Sequence, residues 1–331
     1  MEWPVLGLIR FLLAIIVADS HLAWFIRPDS KVLAIGNFSG LAAVLGFLLI
    51  SGYSIAASYA KQQHGFYFRR ALRIFPLYAL AIVMAALGPL ILQKMPINLS
   101  GDTFAPSGSG QLIGNLLLLQ GFVVRPPATN PVLWTLSVEA FFYIVTPLIA
   151  RSSQRSVLIV SGASAAVYGL ARFLNLPFYT ELLFGINVIL FGWAWLLGFW
   201  IYHGKHNNNT LVIAYGIGVC AIAQNNSHLM FLWPVTWTIA ILGVGFAQYV
   251  HYHKGLARAC SLLGDISYPL YLFHLFAFEL IFVFKLSTFG VLYLFGASIV
   301  AILLDFAFDR PVKRLICKSM DIPHMIVTKP T

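Results

Sequence analysis

Apolar residues run almost unbroken through long stretches of this chain. They show neither the two-residue period of a half-buried strand nor the narrow stripe of a soluble helix. Continuous runs fall at 4–26, 37–60, 74–93, 131–150, 156–174, 183–203, 210–225, 228–250, 262–284 and 289–308. A helix needs about 20 residues to cross the ~30 Å hydrocarbon layer, so the pattern predicts about ten transmembrane helices. The run 210–225 is short and closely followed by the next. Continuous rather than alternating runs argue against a transmembrane β-barrel. Residues 94–130 form the one long connection, rich in Gly, Pro and Ser, and its apolar stretch LIGNLLLLQGF is too short to span. The expected fold is an all-α polytopic membrane protein, a single transmembrane domain over residues 1–331.

Composition agrees. Of 331 residues, 60% are apolar and 10% charged, against roughly 45–50% and 25% in soluble domains. A water-soluble enzyme of this size could not bury so much apolar surface. Lys and Arg number 21 against 11 Asp and Glu, a net charge of +10. In a membrane protein such an excess collects in cytoplasmic loops, so it implies no nucleic-acid partner. With the N-terminus inside, fifteen of the 21 basic residues fall on the cytoplasmic side and six opposite. Both termini are therefore expected in the cytoplasm and the 94–130 connection outside. The first run carries Arg10, Asp19 and His21 and no A-x-A cleavage site, which predicts a retained helix rather than a signal peptide. Cys220, Cys260 and Cys317 make no metal spacing and no disulfide framework. Walker A, G-x-S-x-G, C-x-x-C and H-E-x-x-H motifs are missing, and no metal is expected.

Charges at bilayer depth cost at least about 2.5–3.5 kcal/mol each, which makes Arg10, Asp19, His21, Glu139, His274, Glu279 and Asp305 the functional candidates. Arg10 and His21 stand eleven positions apart, about 20° beyond three full helical turns and about 16 Å along the axis. They share a face. Either one long ligand touches both, or the Arg snorkels to the interface and the His is bonded into the bundle. In KQQHGFYFRRALRIFP, Arg69, Arg70 and Arg73 cluster at helical spacing. They are either topology-setting charges or a phosphate site, for which bidentate guanidinium groups are suited. Pro76 sits near the expected start of the next helix. Ser137 and Glu139 interrupt the apolar run WTLSVEAFFYIVTP, and Glu139 lies at a depth similar to His21. A carboxylate beside a histidine is a usual general-base arrangement; an unrelated structural hydrogen bond is the alternative. Tyr268, Tyr271 and His274 form a three-residue stripe, read either as packing surface or as site. H-x4-E at His274 and Glu279 is a chance match to an acyltransferase signature. Asp305 and Asp309-Arg310 suit a local salt bridge.

Taken together, these segments resemble the integral-membrane acyltransferase family three, bacterial enzymes that acylate cell-envelope sugars. The matching blocks are LIRFLLAIIVADSHL with its Arg…His pair, GFLLISGYSI, FYFRRALRIFPLY, LWTLSVEAFFYIVTPLI, ISYPLYLFH and FDRPVKRL, in the family's order. Phe11 stands where the family commonly has glycine, and Asp19 where it has an apolar residue. The resemblance implies a multi-pass protein of the bacterial inner membrane; the soluble esterase-like domain that many relatives append is not expected here. It implies an acyl-CoA co-substrate, most often acetyl-CoA, and a polysaccharide or lipid-linked sugar acceptor facing away from the cytoplasm. Nucleotide phosphates would sit on Arg69, Arg70 and Arg73, aided by Arg10, with the pantetheine arm rising between helices. His21 would act as general base oriented by Glu139, or as transient acyl acceptor. Ser51, Ser137, Tyr271 and His274 are the candidates for substrate contacts and for the oxyanion. A transporter of a lipid-linked sugar or anion is the competing class, and would show inverted repeats or broken helices.

Overall fold

The computed structural model describes residues 3–26, 38–91, 107–204, 208–225, 232–247, 249 and 253–320. Twelve α-helices follow in chain order among them. They are α1 (Pro4–Ser20), α2 (Gly40–Lys61), α3 (Phe66–Ile91), α4 (Ser109–Leu116), α5 (Trp134–Arg151) and α6 (Gln154–Leu170). Then come α7 (Ile186–His203), α8 (Asn208–Asn225), α9 (Trp233–Phe246), α10 (Lys254–Val283), α11 (Gly290–Leu304) and α12 (Arg310–Ser319). Seven described helices are long and apolar enough to cross a membrane, and α6, α8 and α9 occupy the other three predicted runs. The chain is an all-α polytopic membrane protein. Helices answer the physics of the bilayer, where every backbone N–H and C=O must be satisfied within the segment.

Local chemistry sets the ends. Pro4 occupies the first turn of α1, where its missing N–H costs nothing, and Ser39 caps α2 by accepting from the Ala42 amide at 3.2 Å. The α3 helix starts at Phe66, eight residues before the predicted run, so Pro76 lies inside it rather than near its start. Gly65, with φ +69°, makes the turn that launches it. Likewise α10 begins at Lys254 rather than near 262. The run 289–308 ends in a π-helical turn at Asp305–Asp309, and the basic α12 follows. The stretch in the 94–130 connection forms only the eight-residue α4.

Apolar residues cover both inside and outside. Trp193, Trp195 and Trp237 are wholly buried, while Leu148, Val212, Phe295 and Leu303 face outward. Small residues bring the helices close. A Cβ on Gly52 would run into the Trp195 carbonyl, and one on Gly198 into that of Leu49, so α2 and α7 touch backbone to backbone. A Cβ on Gly264 would stand 2.6 Å from Gly7 Cα, which locks α10 against α1 in the same way. The two helices run parallel, since Gly7 meets Gly264 near their starts and His21 meets His274 farther on.

Candidate active site

Three helices place the charges. On α2, Ser51, Ser54 and Ser58 recur at three- and four-residue spacing and so share a face. Each holds one charged group. Ser51 Oγ donates to Glu139 Oε1 at 2.7 Å, Ser54 Oγ accepts from Arg10 Nη2 at 2.6 Å, and Ser58 Oγ accepts from Arg70 Nη2 at 3.2 Å. Tyr143, one turn along α5, donates a second hydrogen bond to Glu139 Oε1. The Arg70 guanidinium lies 5.8 Å from the centre of the Phe66 ring, and its buried Nε has no partner among the described residues.

The early start of α3 separates the three arginines. Arg69 turns back and donates to the carbonyls of His64, at 2.6 Å, and Gln62. It fastens the 62–65 turn and does not line the cavities formed by Arg70 and Arg73. Of the three arginines expected at a phosphate site, Arg70 and Arg73 line these cavities and Arg69 does not.

Those cavities lie in series. A first one, of about 480 Å³, is at the end where α1 and α10 begin, and is lined by Trp3, Arg10, Lys61, Arg70, Arg73 and Asp265. It shares Arg10, Ser54, Arg70 and Arg73 with a middle cavity of about 90 Å³, which also meets Ser51, Glu139 and Tyr143. A third, of about 520 Å³, holds His21. Val44 and Tyr271 border both the middle and the third cavity. Phe47, on the middle cavity, packs edge-on to Tyr271 with centroids 5.6 Å apart. Tyr271 is fixed by Thr135 at 2.9 Å and the Val132 carbonyl at 3.1 Å.

At the end of α1 the helix tightens into a 3-10 turn, Leu22–Trp24, and His21 sits at the junction. His21 Nδ1 is 2.8 Å from the Val17 carbonyl and 3.1 Å from Nε2 of His274. A carbonyl only accepts, so Nδ1 of His21 carries the proton. His274 Nδ1 lies 2.9 Å from the Tyr271 carbonyl, so it too is protonated and its Nε2 offers a lone pair. His21 Nδ1–H is thereby shared between Val17 and His274, and among the described residues no donor meets the lone pair of His21 Nε2. His274 is fully buried.

Glu139 is not the partner of His21. Its hydrogen-bond partners among the described residues are Ser51 and Tyr143, on the middle cavity. The two line different cavities. Ser137 donates to the Trp134 carbonyl at 2.8 Å and lines none of the three cavities, so its hydroxyl is not aimed at the site. Ser51 and Tyr271 do line the site, and His274 reaches it through His21. Asp19 and Glu279 are buried, each with a buried oxygen unpaired among the described residues, and neither lines the three cavities. Asp305 pairs with Arg310 at 2.6 Å, as a local bridge. Ser54, Ser58, Tyr143 and Trp24 escaped the sequence reading. The first two share the face of Ser51, and Tyr143 is one turn from Glu139. No group of metal ligands occurs among the described residues.

A protein of Acidianus two-tailed virus, provisionally named an acetyltransferase, is 24% identical over 288 residues, covering 81% of this chain and 77% of the viral one. No solved structure matches. The family model described as an acyltransferase domain matches residues 4–310. With nearly its whole length matched, the chain belongs to acyltransferase family 3, and it is an enzyme of group transfer rather than a transporter.

Proposed function

We propose that the protein moves an acyl group, acetyl foremost, from acyl-CoA to a hydroxyl of a polysaccharide or lipid-linked sugar. The donor enters from the cytoplasmic face of a bacterial inner membrane, and the acceptor from the other. One observation carries the reading: arginines and a histidine with a free lone pair lie on successive cavities along one helix. The first cavity suits a polyanion. Arg10, Arg70 and Arg73 converge on it, and the buried Arg70 Nε is a donor left without an acceptor among the described residues. Guanidinium groups bind phosphates in bidentate fashion, which a carrier with phosphates at one end and a thioester at the other requires.

His21 Nε2 is the base in this scheme. It removes the hydroxyl proton as the oxygen attacks the thioester carbonyl, and the thiolate leaves. The imidazolium so formed keeps its Nδ1–H between the Val17 carbonyl and the His274 lone pair. His274 therefore takes the orienting role that the sequence reading gave to Glu139. Glu139, held by Ser51 and Tyr143, balances the arginines beside the middle cavity. Attack by Nε2 itself, giving an acyl-imidazole, uses the same lone pair; the mass of acid-quenched enzyme distinguishes the two routes.

The test is acetyl transfer from acetyl-CoA to added methyl glycosides, with thiol release in their presence and absence, by the purified protein in lipid nanodiscs, compared with His21→Ala. Turnover by the parent and its loss in a folded variant support the reading. Retained turnover in the variant removes His21 from it.

A further inference from the structure

From Gly290 to Ser319 the chain stays helical for 30 residues, through α11, the π-helical turn and α12. That is about 45 Å at 1.5 Å per residue, against ~30 Å of hydrocarbon. About twenty residues fill the layer, which leaves the ten of α12 at the level of the lipid headgroups. This is the face that carries the arginine cavity, because Arg310 Nη2 lies 3.8 Å from Asp265 on that cavity's wall. The sides of α12 are unlike. Steps of 100° per residue bring Arg310, Lys313 and Cys317 within about 60° of one another. That side faces protein: Cys317 is wholly buried, and Arg310 and Lys313 are paired with Asp305 and Asp309. Val312, Leu315 and Ile316 share an arc of about 100° on the far side, and Leu315 is exposed. Arg314 and Lys318, one turn apart, stand between the two sides, and both are exposed. Neither forms an ion pair among the described residues.

We propose that α12 is a lipid-binding helix, on which Arg314 and Lys318 hold the phosphate of an anionic phospholipid and Leu315 lies against its acyl chains. The two cations are about 6 Å apart along the axis, close enough for one phosphate to meet both side chains. A helix with an apolar arc flanked by cations lies in the interface, apolar side toward the acyl chains. Leu303 and Phe306 already face outward on the turns before α12, so the lipid contact of the span continues onto it. That continuity selects lipid over a soluble acidic partner, which would meet the cations but leave Leu315 without apolar cover. A zwitterionic headgroup carries its own cation next to the phosphate, and two unpaired basic side chains repel it. An anionic headgroup brings no such charge.

Native mass spectrometry of the full chain tests this, with protein stripped of lipid in detergent and titrated with dioleoyl phosphatidylglycerol or dioleoyl phosphatidylcholine. Phosphatidylglycerol is expected to bind at least about tenfold more tightly than phosphatidylcholine. A basic residue at the membrane surface contributes about fivefold in affinity. Arg314→Gln should therefore weaken phosphatidylglycerol about fivefold, and Arg314→Gln with Lys318→Gln about 25-fold, with phosphatidylcholine unmoved. Both side chains are exposed, so the unfolding temperature without lipid should match the parent. Two controls remove a charge elsewhere: Arg70→Gln in the arginine cavity and Arg258→Gln on the exposed start of α10. Each should change phosphatidylglycerol affinity by less than about twofold. Equal binding of the two lipids, or an affinity unmoved in the double variant, overturns the proposal. So does a loss in Arg70→Gln or Arg258→Gln as large as that in Arg314→Gln, which would put the lipid phosphate in the cavity or on the charge of the whole face.

Discussion

Nε2 of His274 stands 3.1 Å from Nδ1 of His21, joining α10 to the end of α1. The contact depends on close backbone packing lower down, where Gly7 and Gly264 leave no room for a side chain between the two helices. A neutral imidazole here accepts from another imidazole, in a setting where a carboxylate partner would add a buried charge. The dyad is held in one tautomeric state by the carbonyls of Val17 and Tyr271.

Substitutions at the two histidines should separate in magnitude. His21→Ala removes the base and is expected to cost about 10²–10⁴-fold in kcat. His274→Phe leaves the base but takes away the acceptor of its Nδ1–H, and should cost a smaller share, about tenfold or more. His274→Gln offers a carbonyl oxygen in its place and should recover part of the loss. Steady-state kinetics in nanodiscs provide the check. Equal activity of His274→Phe and the parent would detach His274 from the reaction.

The arginines of α3 should divide as the geometry divides them. Arg70→Gln removes a charged donor from the first cavity. Hydrogen bonds to charged groups contribute about 1.5–3 kcal/mol, so the KM for acetyl-CoA should rise roughly 10–100-fold with kcat little changed. Arg69→Gln should leave that KM within about twofold and lower the unfolding temperature instead, because it frees the carbonyls of Gln62 and His64. The same KM change in both variants would contradict the separation.

How far the sequence foretold this depends on the range of each interaction. The spans are local properties of continuous apolar runs, and each predicted run overlaps a helix among the described residues. Arg10 lies in α1 and His21 at its C-terminal end, so the spacing along one segment set them about three turns apart. The partner of His21 is set by how α10 packs on α1, and nothing in the spacing of Glu139 or His274 decides between them. The roles of Arg69 and Arg70 turned on where α3 begins. Gly65 was the available signal, since a φ of +69° favours glycine and marks the turn before Phe66. Ser54 and Ser58 escaped notice because serine is unremarkable in an apolar helix until a charge from another helix lies opposite.

Close packing of α2 and α7 supplies a stability prediction. Gly52→Ala drives a methyl group into the Trp195 carbonyl, a backbone atom that cannot swing aside. Overpacking of this kind costs about 1–3 kcal/mol or more, and should appear as a lowered unfolding temperature or loss of folded protein in detergent. Gly162, inside α6, has open space around its Cβ position. Gly162→Ala should therefore be neutral or stabilise by up to about 1 kcal/mol. A Gly52→Ala protein as stable as the parent would mean that the two helices stand farther apart.

The partition between the middle and third cavities provides the final prediction. Val44 and Tyr271 border both, and Phe47 backs Tyr271 with an edge-on ring. Tyr271 is held by Thr135 and the Val132 carbonyl, whereas Phe47 is fixed only by packing. Phe47→Ala should join the two spaces without disturbing the hydrogen bonds of Tyr271. A thioester carried past this point would then meet water from the third cavity before an acceptor arrives. Acceptor-independent thiol release should rise about tenfold, equivalent to lowering the hydrolysis barrier by about 1.4 kcal/mol, while acetyl transfer per thiol released falls. Tyr271→Phe keeps the ring and loses only the hydroxyl, so its hydrolysis should stay near the parent rate. Increased hydrolysis in Tyr271→Phe but not in Phe47→Ala would show that the hydroxyl network, and not the ring, keeps water out.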